Sequence, residues 1–217
     1  MRIKWLGHSC FVVTSDEGIK IITDPYQSGL SAAFMRMNYD EIDEDADIVL
    51  ISHNHPDHNN VKAVKGNPEV MREAGLRECK GIPIKGVASR HGTFRGINMI
   101  FCFTVDGVKL CHLGDIGYPL DASQLAEVGD VDVVFAPAGG FPVMKPEGVA
   151  EVCRQLRPRV VIPMHYKNDK CRFFILDTPN KFIGEFPADA IEHLEGREIE
   201  VTQGQLPVET TVKVFAA

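Results

Sequence analysis

"ISHNHPDHNN", residues 51–60, places three histidines and an aspartate within six consecutive positions, directly after the apolar run "DIVL". Divalent transition metals are held by nitrogen, oxygen and sulfur ligands in fixed geometry, and imidazole suits zinc, iron, nickel and copper alike. His53 and His55 are two residues apart, which points both side chains the same way on an extended backbone. Asp57 and His58 follow a turn forced by Pro56. One tight loop does not easily aim all four at a single ion. The stretch therefore asks for two adjacent ions and for further ligands elsewhere in the chain.

Those ligands are expected where other strands end. His91 follows "IKGVASR", Asp115 follows "VKLCHLG" and His165 follows "RVVIPM", just as His53 follows "DIVLIS". Polar residues from distant segments converge when strands open onto one edge of a sheet. Apolar, β-branched runs at residues 2–6, 10–14, 19–23, 47–51, 82–88, 98–105, 108–112, 131–136 and 160–164 read as strands. "SDEG" (15–18) and "VDG" (105–107) read as hairpin turns. Helical spacing is fewer and later, at residues 68–74, 121–128 and 146–156, with His193 on a further late helical segment. In residues 146–156, Pro146 suits a first turn and Val149, Val152, Cys153 and Leu156 share one face. The mixture predicts an α/β fold of sheets covered by helices on their outer faces, with residues 1–217 forming one domain.

"HNHPDH", followed in order by lone His91, Asp115 and His165, resembles the HxHxDH signature of the metallo-β-lactamase fold superfamily of metal-dependent hydrolases. A closer resemblance, to small single-domain hydrolases related to L-ascorbate-6-phosphate lactonase, rests on "WLGHSCFVV" (5–13), "ITDPY" (22–26), "LGDIGY" (113–118), "PAGGFPVMKPEGVA" (137–150) and "VVIPMHY" (160–166). It covers nearly the whole chain to residue 166 and weakens beyond. The resemblance implies a four-layer αβ/βα sandwich with the site at one edge of the two sheets. It also implies one metal on His53, His55 and His91, a second on Asp57, His58 and His165, and Asp115 bridging both. Asp24 and His8 match positions near the site in relatives, Asp24 as an outer carboxylate orienting a ligand histidine. An oligomeric assembly is expected on the same ground.

The chemistry that follows is hydrolysis. A hydroxide held between two cations is nucleophilic near neutral pH, and the cations polarise the scissile carbonyl or phosphoryl oxygen. Asp57 is expected to be essential, and His8 is a candidate proton source for the leaving group. Zinc is the first expectation for the metal, with manganese and iron fitting the same shell. The segment "SGLSAAFMRMNYDE" (28–41) lacks a clean period, and such long loops are often functional. Phe34, Met35 and Arg36 from it, with Met144 of "GGFPVM" opposite, are expected at the pocket mouth. Arg90, Arg95, Lys167 and Arg172 are candidate anion clamps.

Composition limits the alternatives. A net charge of -7 argues against a nucleic-acid partner, which needs clustered Lys and Arg. No membrane span or secretory leader is legible, and six scattered cysteines without a CxxC pair read as reduced thiols, so a cytoplasmic protein acting on a small-molecule substrate is expected. A nuclease of the same superfamily, a diiron redox enzyme and a non-catalytic metal-binding protein are the competing readings. Relatives of the diiron kind have a carboxylate where His55 stands. For single residues the bland reading is better at His112, a satisfied strand residue, and at Cys10 and Cys111, small packing residues in strands.

Overall fold

Several strands of this chain are apolar on both faces, and such strands need cover on both sides. In the computed structural model, which describes residues 1–32, 35–92 and 96–217, two mixed sheets supply that cover for one another. The first is built from β1 (Arg2–Gly7), β2 (Cys10–Thr14), β3 (Lys20–Thr23), β6 (Ile48–Leu50), β7 (Glu69–Met71) and β15 (Glu198–Glu200), in the spatial order β15-β1-β2-β3-β6-β7. The second takes β8 (Gly75–Cys79), β9 (Ile82–Arg90), β10 (Ile97–Val105), β11 (Val108–His112), β12 (Val133–Pro137), β13 (Val160–Met164), β14 (Ile191–His193) and β16 (Thr211–Val214), in the order β14-β16-β13-β12-β11-β10-β9-β8. β4 (Ser31–Ala32) and β5 (Met35–Arg36) form a small hairpin apart from both.

The period of two along each strand divides the core. Phe11, Val13, Ile21, Ile48 and Leu50 face the space between the sheets, where they meet Ile84, Phe101, Leu110, Phe135 and Ile162 of the second sheet. Their neighbours Cys10, Val12, Ile22 and Val49 face outward, onto Tyr26, Met37, Tyr39, Val64 and Cys171. The outer face of the second sheet carries α1 (Ala122–Val128) and α2 (Pro146–Leu156), and α3 (Asn180–Ile183) packs beside α2. Asp121 caps α1 through a capping box with Gln124, and Pro146 opens α2. The result is an α/β sandwich of two mixed sheets. Over the first sheet the outer layer comes from Tyr26, Met37, Tyr39, Ile42 and Ala46, the 3-10 turn Val61–Ala63, and Cys171 and Leu176.

Two local expectations are corrected. Residues 68–74, read as helical, contain β7, which extends the first sheet in parallel to β6. The unpaired edge of β6 outweighs the weak helical period of so short a segment, and the Ile51 N–H also reaches the Met71 carbonyl at 3.0 Å. His193 lies on β14 rather than on a helix, paired opposite Val214, and is exposed as expected. The hairpin turns at 15–18 and 105–107 form between β2 and β3 and between β10 and β11. All six cysteines are free thiols.

Candidate metal centre

Strand ends deliver the site. His8 directly follows β1, Asp24 follows β3, His91 follows β9 and His165 follows β13; His53 and Asp115 come three residues after β6 and β11. The strands β1, β3 and β6 run one way in the first sheet, and β9, β11 and β13 run one way in the second. Their ends therefore open together. Three of these residues, His8, Asp24 and His165, have positive φ of 52°, 39° and 52°. Such left-handed backbone is uncommon outside glycine and clusters at functional sites.

The loop that carries His53, His55, Asp57 and His58 is pinned by its own polar residues. The His58 N–H donates to the His55 carbonyl at 2.9 Å, the Gln27 N–H to the Pro56 carbonyl at 3.1 Å, and the Asn60 N–H to the Pro25 carbonyl at 2.7 Å. Asn59 Nδ2 donates to Asn54 Oδ1, and Arg72 Nη1 to Asn59 Oδ1 at 2.6 Å. The asparagines of the motif thus shape the turn.

Two groups of side chains converge. Ligand-type atoms of His53, His55 and His91 all lie within 4.8 Å of one another, and so do those of His8, Asp57, His58 and His165. Asp115 stands between the groups: its Oδ2 is 3.1 Å from His165 Nε2, 3.3 Å from His91 Nε2, 3.5 Å from His58 Nε2 and 3.8 Å from His53 Nε2. Asn98 holds it there. The Asp115 N–H donates to Asn98 Oδ1 at 2.8 Å, while Asn98 Nδ2 donates to Ser89 Oγ at 2.8 Å and to the Leu113 carbonyl at 2.9 Å. Gly114, at φ +57°, must lack a side chain, because a Cβ there would lie 2.3 Å from Asn98 Oδ1.

Whether these residues fit metal ions is decided by their unmet bonding. The Nε2 atoms of His8, His53, His58 and His91 and Oδ1 of Asp115 are buried without a hydrogen-bond partner. Some of those Nε2 atoms approach carboxylates, yet none is aligned as a hydrogen bond. An unpaired buried polar group costs about 1–3 kcal/mol, so several converging on one place ask for a common partner. Imidazoles with carboxylates and no thiolate form a donor set suited to divalent cations. The residues fit the group.

Known proteins similar to this chain in sequence fall in one family. A sequence profile described as "Beta-lactamase superfamily domain" matches residues 2–165. A "UPF0173 metal-dependent hydrolase" of Nitratidesulfovibrio vulgaris (strain DP4) is 31% identical over 194 residues, covering 76% of this chain and 80% of that one. This chain belongs to the UPF0173 metal-dependent hydrolases of the metallo-β-lactamase superfamily. A UPF0173 hydrolase of Thermoplasma volcanium is 27% identical, over 80% of this chain and 89% of its own. A crystal structure from Thermotoga maritima, of a protein assigned as a zinc-dependent hydrolase of the same superfamily, superimposes with a TM-score of 0.80 at 34% identity, over 99% of this chain and 97% of that one.

In this UPF0173 member the electrostatics of the site are uneven before any metal binds. Burial, aided by the neighbouring His165 and His58 respectively, pushes His8 down to about 4 and His53 to about 3, so both rings are neutral at physiological pH. Burial also opposes charge on His58, but Asp115, Asp57 and Asp24 outweigh it and raise its pKa to about 10. Asp57 and Asp115 are buried as well, and the surrounding histidines hold both well below the usual carboxylate range. His8 Nε2 stands 3.3 Å from Asp57 Oδ2 and is wholly buried, inside the second group rather than at its rim. His112 is a strand residue bonded within the fold, with Nε2 3.0 Å from the Ser9 carbonyl.

The expected pocket-mouth residues fare differently. Met144 is buried in the core, close enough to Gly148 that a Cβ there would meet its sulfur at 2.6 Å, so it is a packing residue; Phe141 of the same loop is 67% exposed instead. Arg36 is exposed, and its carbonyl accepts the Arg172 N–H at 2.9 Å, so two basic residues leave the backbone side by side. Phe34 and Arg95 lie outside the described residues. Sequence reading missed Asn98 and Ser52. The signal for Asn98 was a lone amide inside the apolar run "INMIFCF", and for Ser52 its place immediately before His53.

Proposed function

We propose that this chain hydrolyses an ester-type bond, in a lactone, phosphodiester or thioester, of a small anionic substrate, with two divalent metal ions held by its own side chains. His53, His55 and His91 would hold one ion, Asp57, His58 and His165 the other, with Asp115 between them. The observation that carries this is the position of Asp115 Oδ2, within 3.8 Å of Nε2 atoms from both groups. What two such ions supply when bound is Lewis acidity toward the scissile oxygen and a lowered pKa for water between them.

The protein's part is donation, orientation and charge. His53, neutral before loading, offers a lone pair without first losing a proton. His8, also neutral, stands with Nε2 3.3 Å from Asp57 Oδ2, and it is the proposed proton source for the leaving group. Asp24 holds His58 from behind, with Oδ2 2.9 Å from His58 Nδ1. Arg36 and Arg172, exposed and outside any ion pair among the described residues, are the basic side chains on offer to an anionic substrate, with Phe34 two residues before Arg36 in sequence. Zinc is the proposed metal, with manganese or iron compatible with the same donors. All 217 residues act as one domain, because β15 and β16 near the end of the chain complete both sheets. A cytoplasmic setting and a homo-oligomer complete the reading. No helix among the described residues is long and apolar enough to cross a membrane.

The test is metal analysis of purified protein together with a panel of lactones, a sugar-phosphate lactone among them, phosphodiesters and thioesters. About two metals per chain and a turnover abolished by chelation are expected. A metal content near zero after reconstitution overturns the proposal, and a loaded but inert protein favours a metal-binding role without catalysis.

A further inference from the structure

Behind the two ligand groups lies a buried polar network centred on Asp24. Its Oδ1 accepts the Ser52 N–H at 2.7 Å, and its Oδ2 accepts the Ser52 Oγ–H at 2.6 Å and lies 2.9 Å from His58 Nδ1. Ser52 Oγ is also 2.9 Å from His53 Nδ1. The hydrogens can be placed by counting donors. A carboxylate only accepts, so the one hydroxyl hydrogen of Ser52 goes to Asp24, and the hydroxyl oxygen is left to accept from His53 Nδ1–H. His58 Nδ1 must likewise carry the hydrogen it directs at Asp24. A neutral ring with its hydrogen on Nδ1 has a bare Nε2 free to bind an ion, and both Nε2 atoms are buried with no hydrogen-bond partner. His53 belongs to one ligand group and His58 to the other.

We infer that Ser52 is a positioning residue: through its hydroxyl, one buried carboxylate, Asp24, fixes the tautomer of one imidazole in each of the two metal groups, so that both ions depend on Asp24. Asp24, His53 and His58 also lie mutually close enough to resemble a third metal group. The oxygens of Asp24 are already engaged by Ser52 and His58, and the nearby ring nitrogens are the hydrogen-bearing Nδ1 atoms, so this trio is the relay and not a ligand set. Packing keeps the hydroxyl in place. Ser52 is 2% exposed, its carbonyl accepts the Met99 N–H at 2.8 Å, and Gly114 packs so close that a Cβ there would sit 2.6 Å from Ser52 Cβ.

The inference rests on the ligand assignment proposed above, and zinc is the probe that separates the two. In zinc-loaded wild-type protein, nitrogen-labelled histidine NMR should show the ring hydrogen on Nδ1 of both His53 and His58. In Ser52→Ala the His53 signal should be lost and the His58 signal kept, and one of the two zinc ions should weaken by about 10–100-fold in a competitive chelator titration, as when the outer partner of a ligand is removed. Asp24→Asn should weaken both ions. A hydrogen on His53 Nε2 in the loaded wild type overturns the relay, and this measurement decides the matter even where Ser52→Ala does not fold. Wild-type zinc affinity for both ions in Ser52→Ala overturns it as well. A wild-type protein that takes up no zinc instead sinks the ligand assignment, and the relay with it.

Discussion

The backbone N–H of His165 donates to the carbonyl of His8 at 3.2 Å, tying the turn after β1 in the first sheet to the end of β13 in the second. Their rings stand 4.2 Å apart at the centroids, in the same ligand group. The sandwich is therefore closed at the site by main chain, and the same carbonyl also accepts the Trp5 indole N–H at 3.0 Å.

Trp5→Phe removes that indole donor while the ring packing against Tyr39, Tyr166 and Phe215 is largely kept. The His8 carbonyl still has the His165 N–H, so the expected loss is modest, about 1–2 kcal/mol in urea unfolding, without loss of fold. A protein that does not fold would show that the indole carries the closure.

Asp57→Asn removes a charge that the second group needs but keeps the shape of the side chain. Turnover on any substrate found in the panel should be abolished and zinc content should fall toward one per chain, with the circular dichroism spectrum unchanged. An unaffected rate would sink the two-ion assignment.

Asn98→Ala should leave the buried Asp115 N–H and Leu113 carbonyl without the amide they bond, while the Ser89 hydroxyl keeps its bond to the carbonyl of residue 98. The expected destabilisation is about 2–4 kcal/mol by chemical denaturation. Metal affinity should fall with it, because Asp115 loses its anchor between the groups.

Stability of the chelator-treated protein should peak near pH 6.5, the ordinary histidine value. His8 and His53 titrate at about 4 and about 3 when folded, below 6.5, so the unfolded chain takes up their protons first and their contribution is lost as pH falls. His58 titrates at about 10 when folded, so its contribution is complete below 6.5 and is lost as pH rises through 10. A thermal midpoint that keeps climbing above 6.5 would show that His58 is not held protonated.

The same raised pKa has a consequence for loading. A ring that holds a proton at neutral pH must release it before Nε2 can donate, so zinc binding near pH 7 should expel about one proton from His58. Calorimetry in two buffers of different ionisation heat measures this. Equal heats in both buffers would contradict it.

The convergence of the candidate ligands was legible because it is written in local patterns: "HNHPDH" is contiguous, and His91, Asp115 and His165 each follow an apolar run that becomes a strand. Ser52 and Asn98 were not legible. Their roles depend on which oxygen or nitrogen the fold places opposite them, and a serine or asparagine carries no spacing that says so. Met144 reads as a loop residue at the end of "GGFPVM", yet whether a methionine in a loop turns inward or outward is set by the core it meets. Residues 68–74 were misread because a helical period over one or two turns is weak beside an open strand edge.

The candidate ligand positions end at His165, but the sandwich does not. β1 pairs with β15, Arg2 opposite Glu200, and β13 pairs with β16, Val160 opposite Thr211; Trp5 stacks on Phe215. During translation, then, every candidate ligand is made before β15 and β16, which cover one side each of β1 and β13. Both sheets are finished only when synthesis has passed Val214.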